Sequence, residues 1–260
     1  MHQLLTAAIL IFLVSLIFSM FGRGGGEFYV PILMTLLNLS YYRAASLSLL
    51  LITLQGLSMV IVYHGKHKLL DWTLAVILGV VVGASSFLGG FISYRIPSVY
   101  LKICFSSLLI ASALMILSKK EFKGLRLLMI RREVGEISYE IQLAGMIPPV
   151  ATVAFLAGMA GISGGGLIVP ICVILGGVPL RIAMATNSFL ALSSSSMSFL
   201  GHVVRGGIDP MLATSLGFLV ILGSQIGSRV HVKIDERRLR GFFSLILLGA
   251  ALWMILKIFI

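Results

Sequence analysis

The chain reads as a succession of apolar stretches with few polar interruptions. They lie near 3–21, 28–39, 44–63, 72–94 and 99–118 and, after a break, near 142–160, 167–177, 182–204, 210–230 and 239–259. A helix crosses the hydrocarbon core of a bilayer with about 20 apolar residues, and most of these runs have that length. Two do not, 28–39 and 167–177. Each follows a glycine cluster and contains a proline, so each is predicted as a half-membrane helix. The one long charge-dense stretch, 119–140, holds Lys119, Lys120, Lys123, Arg126, Arg131 and Arg132 with Glu121, Glu133, Glu136 and Glu140. Its basic excess predicts a cytoplasmic linker. The chain then divides into a first repeat, 1–118, the linker, 119–140, and a second repeat, 141–260.

The two halves echo each other. Gly22-Arg-Gly-Gly-Gly-Glu-Phe-Tyr-Val-Pro31 aligns with Gly161-Ile-Ser-Gly-Gly-Gly-Leu-Ile-Val-Pro170. One position out of that register, His64 then matches His202, Asp71 matches Asp209, Gly79 matches Gly217, Gly89 matches Gly227 and Leu101-Lys102 matches Leu239-Arg240. A single slip over a whole half reads as an internal duplication, a frequent transporter architecture. Loop charge favours an inverted relation between the copies. With the linker inside, parallel repeats would put Arg229, Lys233, Arg237, Arg238 and Arg240 outside, against the positive-inside rule. Inversion needs an odd number of crossings per repeat. A re-entrant hairpin followed by three spans, or five crossings with one short, supplies it.

Composition narrows the class. Hydrophobic residues make up 58% of the 260 and charged residues 11%, against about 25% charged in soluble domains. This excludes a soluble enzyme and leaves room for about eight or nine crossings in an all-α polytopic membrane protein of the cell membrane. The net charge of +11 reads mainly as loop topology, with some of it able to draw anions toward a site. There is no basic domain to hold nucleic acid. Cys104 and Cys172 stand alone and the five histidines are scattered, so no metal, redox or other cofactor is expected. The apolar N-terminus lacks a basic leader and a clear cleavage site, which predicts a retained membrane segment. Asp71 and Asp209 read as helix N-caps, Asp209 with Pro210 at the first helical position. His64 and His202 read as interfacial anchors at span ends, with a proton-linked role as the sharper alternative.

The glycine clusters carry the candidate chemistry. Gly24, Gly25 and Gly26, and Gly164, Gly165 and Gly166, interrupt apolar helices. Non-helical backbone at membrane depth must be buried in protein or face water. The short helices that begin there offer free N–H groups and a positive dipole end, an anion site that needs no charged side chain. Pro31 and Pro170 fall near the helix starts, where proline loses little. The bland reading, close helix packing at small residues, suits an isolated glycine better than two matched runs.

The shared Gly-x-x-Gly-Gly-x-x-x-Val-Pro pattern resembles the signature of the TauE/SafE family of membrane permeases, the sulfite exporters. Val178-Pro-Leu-Arg-Ile-Ala-Met-Ala-Thr-Asn187 resembles that family's second-half pattern. The resemblance covers the whole chain and implies transport of sulfite, organosulfonates, thiosulfate or related anions. The copies differ: Ser163 stands opposite Gly24, Gly166 opposite Glu27, and Thr186-Asn187 opposite Leu47-Ser48. A strictly two-fold site is therefore not expected.

Several polar residues lie inside the apolar runs. Arg23 and Glu27 flank the first cluster and read either as an anion contact and a proton-coupling carboxylate, or as a weak ion pair in a surface loop. Thr186, Asn187, Ser48 and Gln55 read as neutral ligands for an oxyanion; single serines more often bond neighbouring helices. The expected function is a secondary transporter of small anions that works by alternating access in the lipid bilayer. A coupling proton or ion and a homodimer stay open. No nucleotide-binding motif is present and no enzyme activity is expected. Two alternatives remain. One is a passive anion channel. The other, more remote, is an intramembrane serine hydrolase built on Ser163 in Gly161-Ile-Ser-Gly-Gly165, which matches the nucleophile-elbow pattern but lacks its strand–helix setting.

Overall fold

The computed structural model describes residues 2–117, 129–135, 137–203 and 209–230, with 245, 248, 249 and 252 beyond them. Within these, the apolar runs are helices: α1 His2–Ser19, α2 Gly26–Leu36, α3 Tyr41–Val62, α4 Trp72–Ser93 and α5 Ser98–Leu117, then α6 Leu143–Ala160, α7 Gly165–Ile174, α8 Leu180–Val203 and α9 Pro210–Val230. A π-helical turn, Tyr63–His67, extends α3. Five helices, α1, α3 with its π turn, α4, α6 and α9, are long and apolar enough to cross a membrane. α8 is as long, 24 residues, but carries the serine-rich stripe. The predicted helix at 239–259 falls almost wholly outside the described residues, as does the first part of the linker.

The predicted caps hold. Asp71 accepts the Leu74 N–H at the start of α4, and Asp209 accepts from Met211 and Leu212 at the start of α9. Each satisfies N–H groups that a helix start leaves without partners. The short helices begin at the glycines, two residues before the predicted starts, because Gly25 and Gly164 act as their N-caps.

Contacts between helices give the chain directions. α3 and α8 cross antiparallel: Thr53 donates to Ser195 Oγ at 3.0 Å, while Gly56 faces Leu192. α4 runs with α8, Gly79 against Phe189, Gly83 against Ser193 and Gly90 against Ser198. In the other half α9 runs with α3, Gly217 against Leu54 and Gln225 donating to Ser58 Oγ. It also runs with α1, Gly223 against Phe12 and Gly227 against Leu16. α1 and α3 therefore point one way, and α2 returns between them, its start beside Gln55. Small residues at every crossing let the backbones approach. Each half thus lends its fourth helix to the other half.

One element has no counterpart among the expectations. Part of the linker forms a β-hairpin, β1 Met129–Val134 and β2 Ile137–Gln142, with Arg131 opposite Glu140 and Val134 opposite Ile137. Gly135 at φ +60° makes the turn, a conformation that costs glycine nothing extra. Val134 and Ile141 are buried, and the Gln142 N–H donates to Gly176 O. Asp71 ties the hairpin to α4. It accepts two hydrogen bonds from Arg132, at 3.1 and 2.9 Å, and one from Tyr139 at 2.8 Å. Burial alone would raise the Asp71 carboxyl, but the bonds from Arg132, the Leu74 N–H and Tyr139 hold it below the usual carboxylate range. A carboxyl depressed in the folded state stabilises fully above its unfolded value and loses that contribution as pH falls through the lowered one. Hairpin attachment is therefore expected to be flat between about pH 5 and 8 and to weaken only in stronger acid. Amide exchange of β1 and β2, corrected for the intrinsic effect of pH, measures this; a loss of protection between those limits contradicts it.

Candidate functional site

The two chain breaks meet in the interior. After α1 the chain turns through Gly22 at φ +64°, and after α6 through Gly161 at φ +75° and Gly164 at φ +68°. Gly26, first residue of α2, packs against Ile162 in the second break. The breaks are also held reciprocally. The Asn187 side-chain amide donates to Gly22 O at 2.8 Å, and the Ser48 hydroxyl donates to Gly161 O at 3.2 Å. Asn187 and Ser48 are partners in the repeat alignment. So are the two close approaches: Gly22 lies on the Met184 carbonyl and Gly161 on Ala45.

Arg23 and Glu27 form an ion pair, Nη2 to Oε1 at 2.6 Å. Arg23 is 2% exposed and Glu27 1%. The surface-loop reading is thus overturned: both side chains lie in the interior. Glu27 sits in the first turn of α2, where the positive helix end favours a carboxylate, and the Arg23 guanidinium lies 6.0 Å from the Phe18 ring.

The remaining candidates divide. The Gln55 amide serves the protein itself. Its oxygen accepts from the Gly25 N–H and the Tyr29 hydroxyl, at 3.0 and 2.8 Å. Its nitrogen lies within hydrogen-bond distance of Ser15 O, Ser19 Oγ and Arg23 O. Gln55 thus pins the first break rather than projecting a free donor. Thr186 accepts from the Asp71 N–H. Gly165 faces the Asn187 side chain, while Gly24 and Gly26 close on Ile52. Gly166, Pro31 and Pro170 are buried in their short helices. Buried polar atoms without a protein hydrogen-bond partner among the described residues include Glu27 Oε2, Ser163 Oγ and Asn187 Oδ1 near the breaks, and Thr35 Oγ1 further along α2. Buried polar groups are normally paired; of the first three atoms one lies in the first turn of α2, one in the second break and one on α8.

The histidines do not behave as a matched pair. His64 is exposed and accepts from the Trp72 indole N–H. His202 is 7% exposed, bonded to Ser198 O and Ser93 Oγ, and so is an interior residue rather than an interfacial anchor. It lines a cavity of about 290 Å³ with Tyr42, Ser46, Ser93 and Tyr94.

The model of the family described as "Sulfite exporter TauE/SafE" matches residues 7–254. The chain belongs to the TauE/SafE family. TauE/SafE relatives agree in kind. The chain is 29% identical over 234 residues to "Probable membrane transporter protein YunE" of Bacillus subtilis, covering 84% of this chain and 85% of that one. It is 28% identical over 255 residues to a "Probable membrane transporter protein" of Haemophilus influenzae, covering 93% and 88%. A third relative of that description, from Methanocaldococcus jannaschii, is 26% identical over 94% of this chain and 92% of its own. No solved structure matches. As a TauE/SafE member the chain is a multi-pass membrane transporter. The sequence reading missed Ser15, Ser19, Tyr29 and Tyr63 as supports of the first break. Tyr63 donates to Ser19 O at 2.7 Å and Tyr29 to Gln55. No periodicity marks such residues, because their partners lie on other helices.

Proposed function

We propose that this transporter carries a small oxyanion of the sulfite or sulfonate class by alternating access, with the two glycine breaks as its binding site. The carrying observation is that three of the buried atoms without a protein partner, Glu27 Oε2, Ser163 Oγ and Asn187 Oδ1, lie in or beside the two breaks, where Gly26 packs against Ile162. The helix starts favour anionic oxygens, and the family's printed description supports a sulfur oxyanion. Glu27 Oε2 and Asn187 Oδ1 are acceptors, so the partner they lack is a hydrogen-bond donor. A proton that travels with the anion and is shared with Glu27 meets that need at Oε2, and the Ser163 hydroxyl can donate to the anion itself. The antiparallel crossing of α3 and α8 and the reciprocal contacts of Asn187 and Ser48 support a reading of the halves as inverted repeats, and rocking of such halves about a midplane site is a common transport mechanism.

Purified protein in sealed vesicles tests this. Sulfite, thiosulfate, sulfoacetate, sulfate and a carboxylate are compared for flux, with and without a proton gradient. Saturable sulfite or sulfonate flux that responds to the gradient is expected. Flux linear in substrate and indifferent to the gradient indicates a channel. Ser163→Ala is expected to lower flux only in part; complete loss accompanied by loss of a hydrolytic activity would favour the hydrolase reading. Gly165→Ala pushes a methyl group onto the Asn187 amide, 2.7 Å from its Nδ2, and is expected to weaken substrate affinity more than stability. Unchanged half-saturation in that variant removes α7 from the site.

A further inference from the structure

The hairpin, Asp71 and the first break are joined by a continuous set of contacts. Arg132 and Tyr139 hold the Asp71 carboxylate. The Asp71 N–H donates to Thr186 Oγ1. The next residue on α8, Asn187, holds Gly22 O. The other end of the hairpin is tied at Gly176, in the turn that follows α7. The hairpin thus spans from the start of α4, in the first half, to the end of α7, in the second. A cavity of about 480 Å³ opens beside the latch, lined among others by His64, Lys68, Asp71, Trp72, Arg132 and Glu133.

We propose that the β1–β2 hairpin is a gate over this end of the transport site, locked by Arg132 and Tyr139 on Asp71 and opening into the adjoining cavity when that lock is released. The Asp71 side chain is fully buried and Arg132 is 27% exposed. Of the four hydrogen bonds to the carboxylate, three come from the hairpin and one from α4. Release of the hairpin therefore leaves Asp71 needing water, which the cavity can admit. The bond from the Asp71 backbone to Thr186 places this change one residue from the donor that holds the first break. A releasable contact that bridges the two halves is what alternating access requires at each mouth.

The gate rests on the site reading above, so its test does not depend on transport. Cys172 is a native reporter: it lies in α7, is 3% exposed, and precedes the turn that the hairpin covers. In a Cys104→Ala background it is the remaining thiol, because the chain has two cysteines. Its labelling by a membrane-impermeant maleimide is followed in Arg132→Glu, Tyr139→Phe and Asp71→Ser, together with proteolysis of the hairpin and the thermal midpoint. Asp71→Ser keeps an N-cap for α4 but removes the carboxylate. Faster hairpin cleavage with at least about tenfold faster labelling is expected well below the midpoint, the size that follows loss of a charge-assisted hydrogen bond to a buried group, while the midpoint itself falls only slightly. Faster cleavage without faster labelling shows that the hairpin covers nothing and overturns the gate. No change in either shows that Asp71 does not lock it, and labelling that rises only as the midpoint falls assigns the contact to stability; both also overturn it. Absence of sulfite flux with the expected labelling pattern would sink the substrate reading and leave the hairpin's latch over α7 standing.

Discussion

Glu27→Leu alone is expected to destabilise the protein by about 3–5 kcal/mol, because it removes the carboxylate from a buried arginine. Arg23→Met combined with Glu27→Leu is expected to recover most of that loss, since well-packed apolar groups commonly replace a buried ion pair at no net cost. The pair lies 2.6 Å apart and almost fully buried, so both partners lose hydration that their mutual attraction only partly offsets. Thermal unfolding of the purified protein measures the stability change. Flux then separates structure from function. A double variant as stable as the wild type but without transport identifies the ion pair as part of the transport machinery. A stable double variant with normal flux at every pH removes Glu27 as the coupling carboxylate.

The second large effect concerns the turns themselves. Gly22→Ala and Gly161→Ala are each expected to lower the yield of folded protein sharply. The left-handed conformation costs a residue with a Cβ about 1–2 kcal/mol. Overpacking adds about 1–3 kcal/mol, and here neither neighbour can yield. A Cβ at Gly22 would overlap the Met184 carbonyl, and one at Gly161 would lie 2.5 Å from the Ala45 Cβ. Gly145→Ala is the control. Gly145 lies in α6 with nothing within 4 Å of an added Cβ, so alanine there is expected to be neutral or stabilising by up to about 1 kcal/mol. Fluorescence-detected gel filtration and thermal melting of the three variants measure the contrast. Normal folding of both Gly22→Ala and Gly161→Ala would falsify the close-packed junction.

The helices were legible because lipid imposes one requirement on every span, an unbroken apolar run of sufficient length. The residues 72–94 and 210–230 were read from that requirement and are found as α4 and α9 with little change. The two breaks were legible for the complementary reason: three adjacent glycines in an apolar run have no place inside a spanning helix. The hairpin at 129–142 was not read, although Gly135 between residues of alternating character is a local turn signal; the density of charge obscured it. Nor could the roles of Gln55, Thr186 and His202 be read. Each has a polar side chain in an apolar run, which is compatible with a ligand and with a helix contact alike. The difference lies in what stands opposite.

The chain's own order of residues determined that it is a predominantly helical membrane protein, that its helices break at the two glycine clusters, Gly22–Gly25 and Gly161–Gly164, and that the family is TauE/SafE. These follow from local properties: hydropathy over a span, the missing Cβ of glycine, and a motif. The tertiary structure decided that the breaks touch, that Arg23 and Glu27 pair in the interior, that Gln55 is committed to the protein, and that the linker clasps Asp71. Each of these depends on which backbone approaches which, and that is set by the packing of small residues across helices distant in sequence.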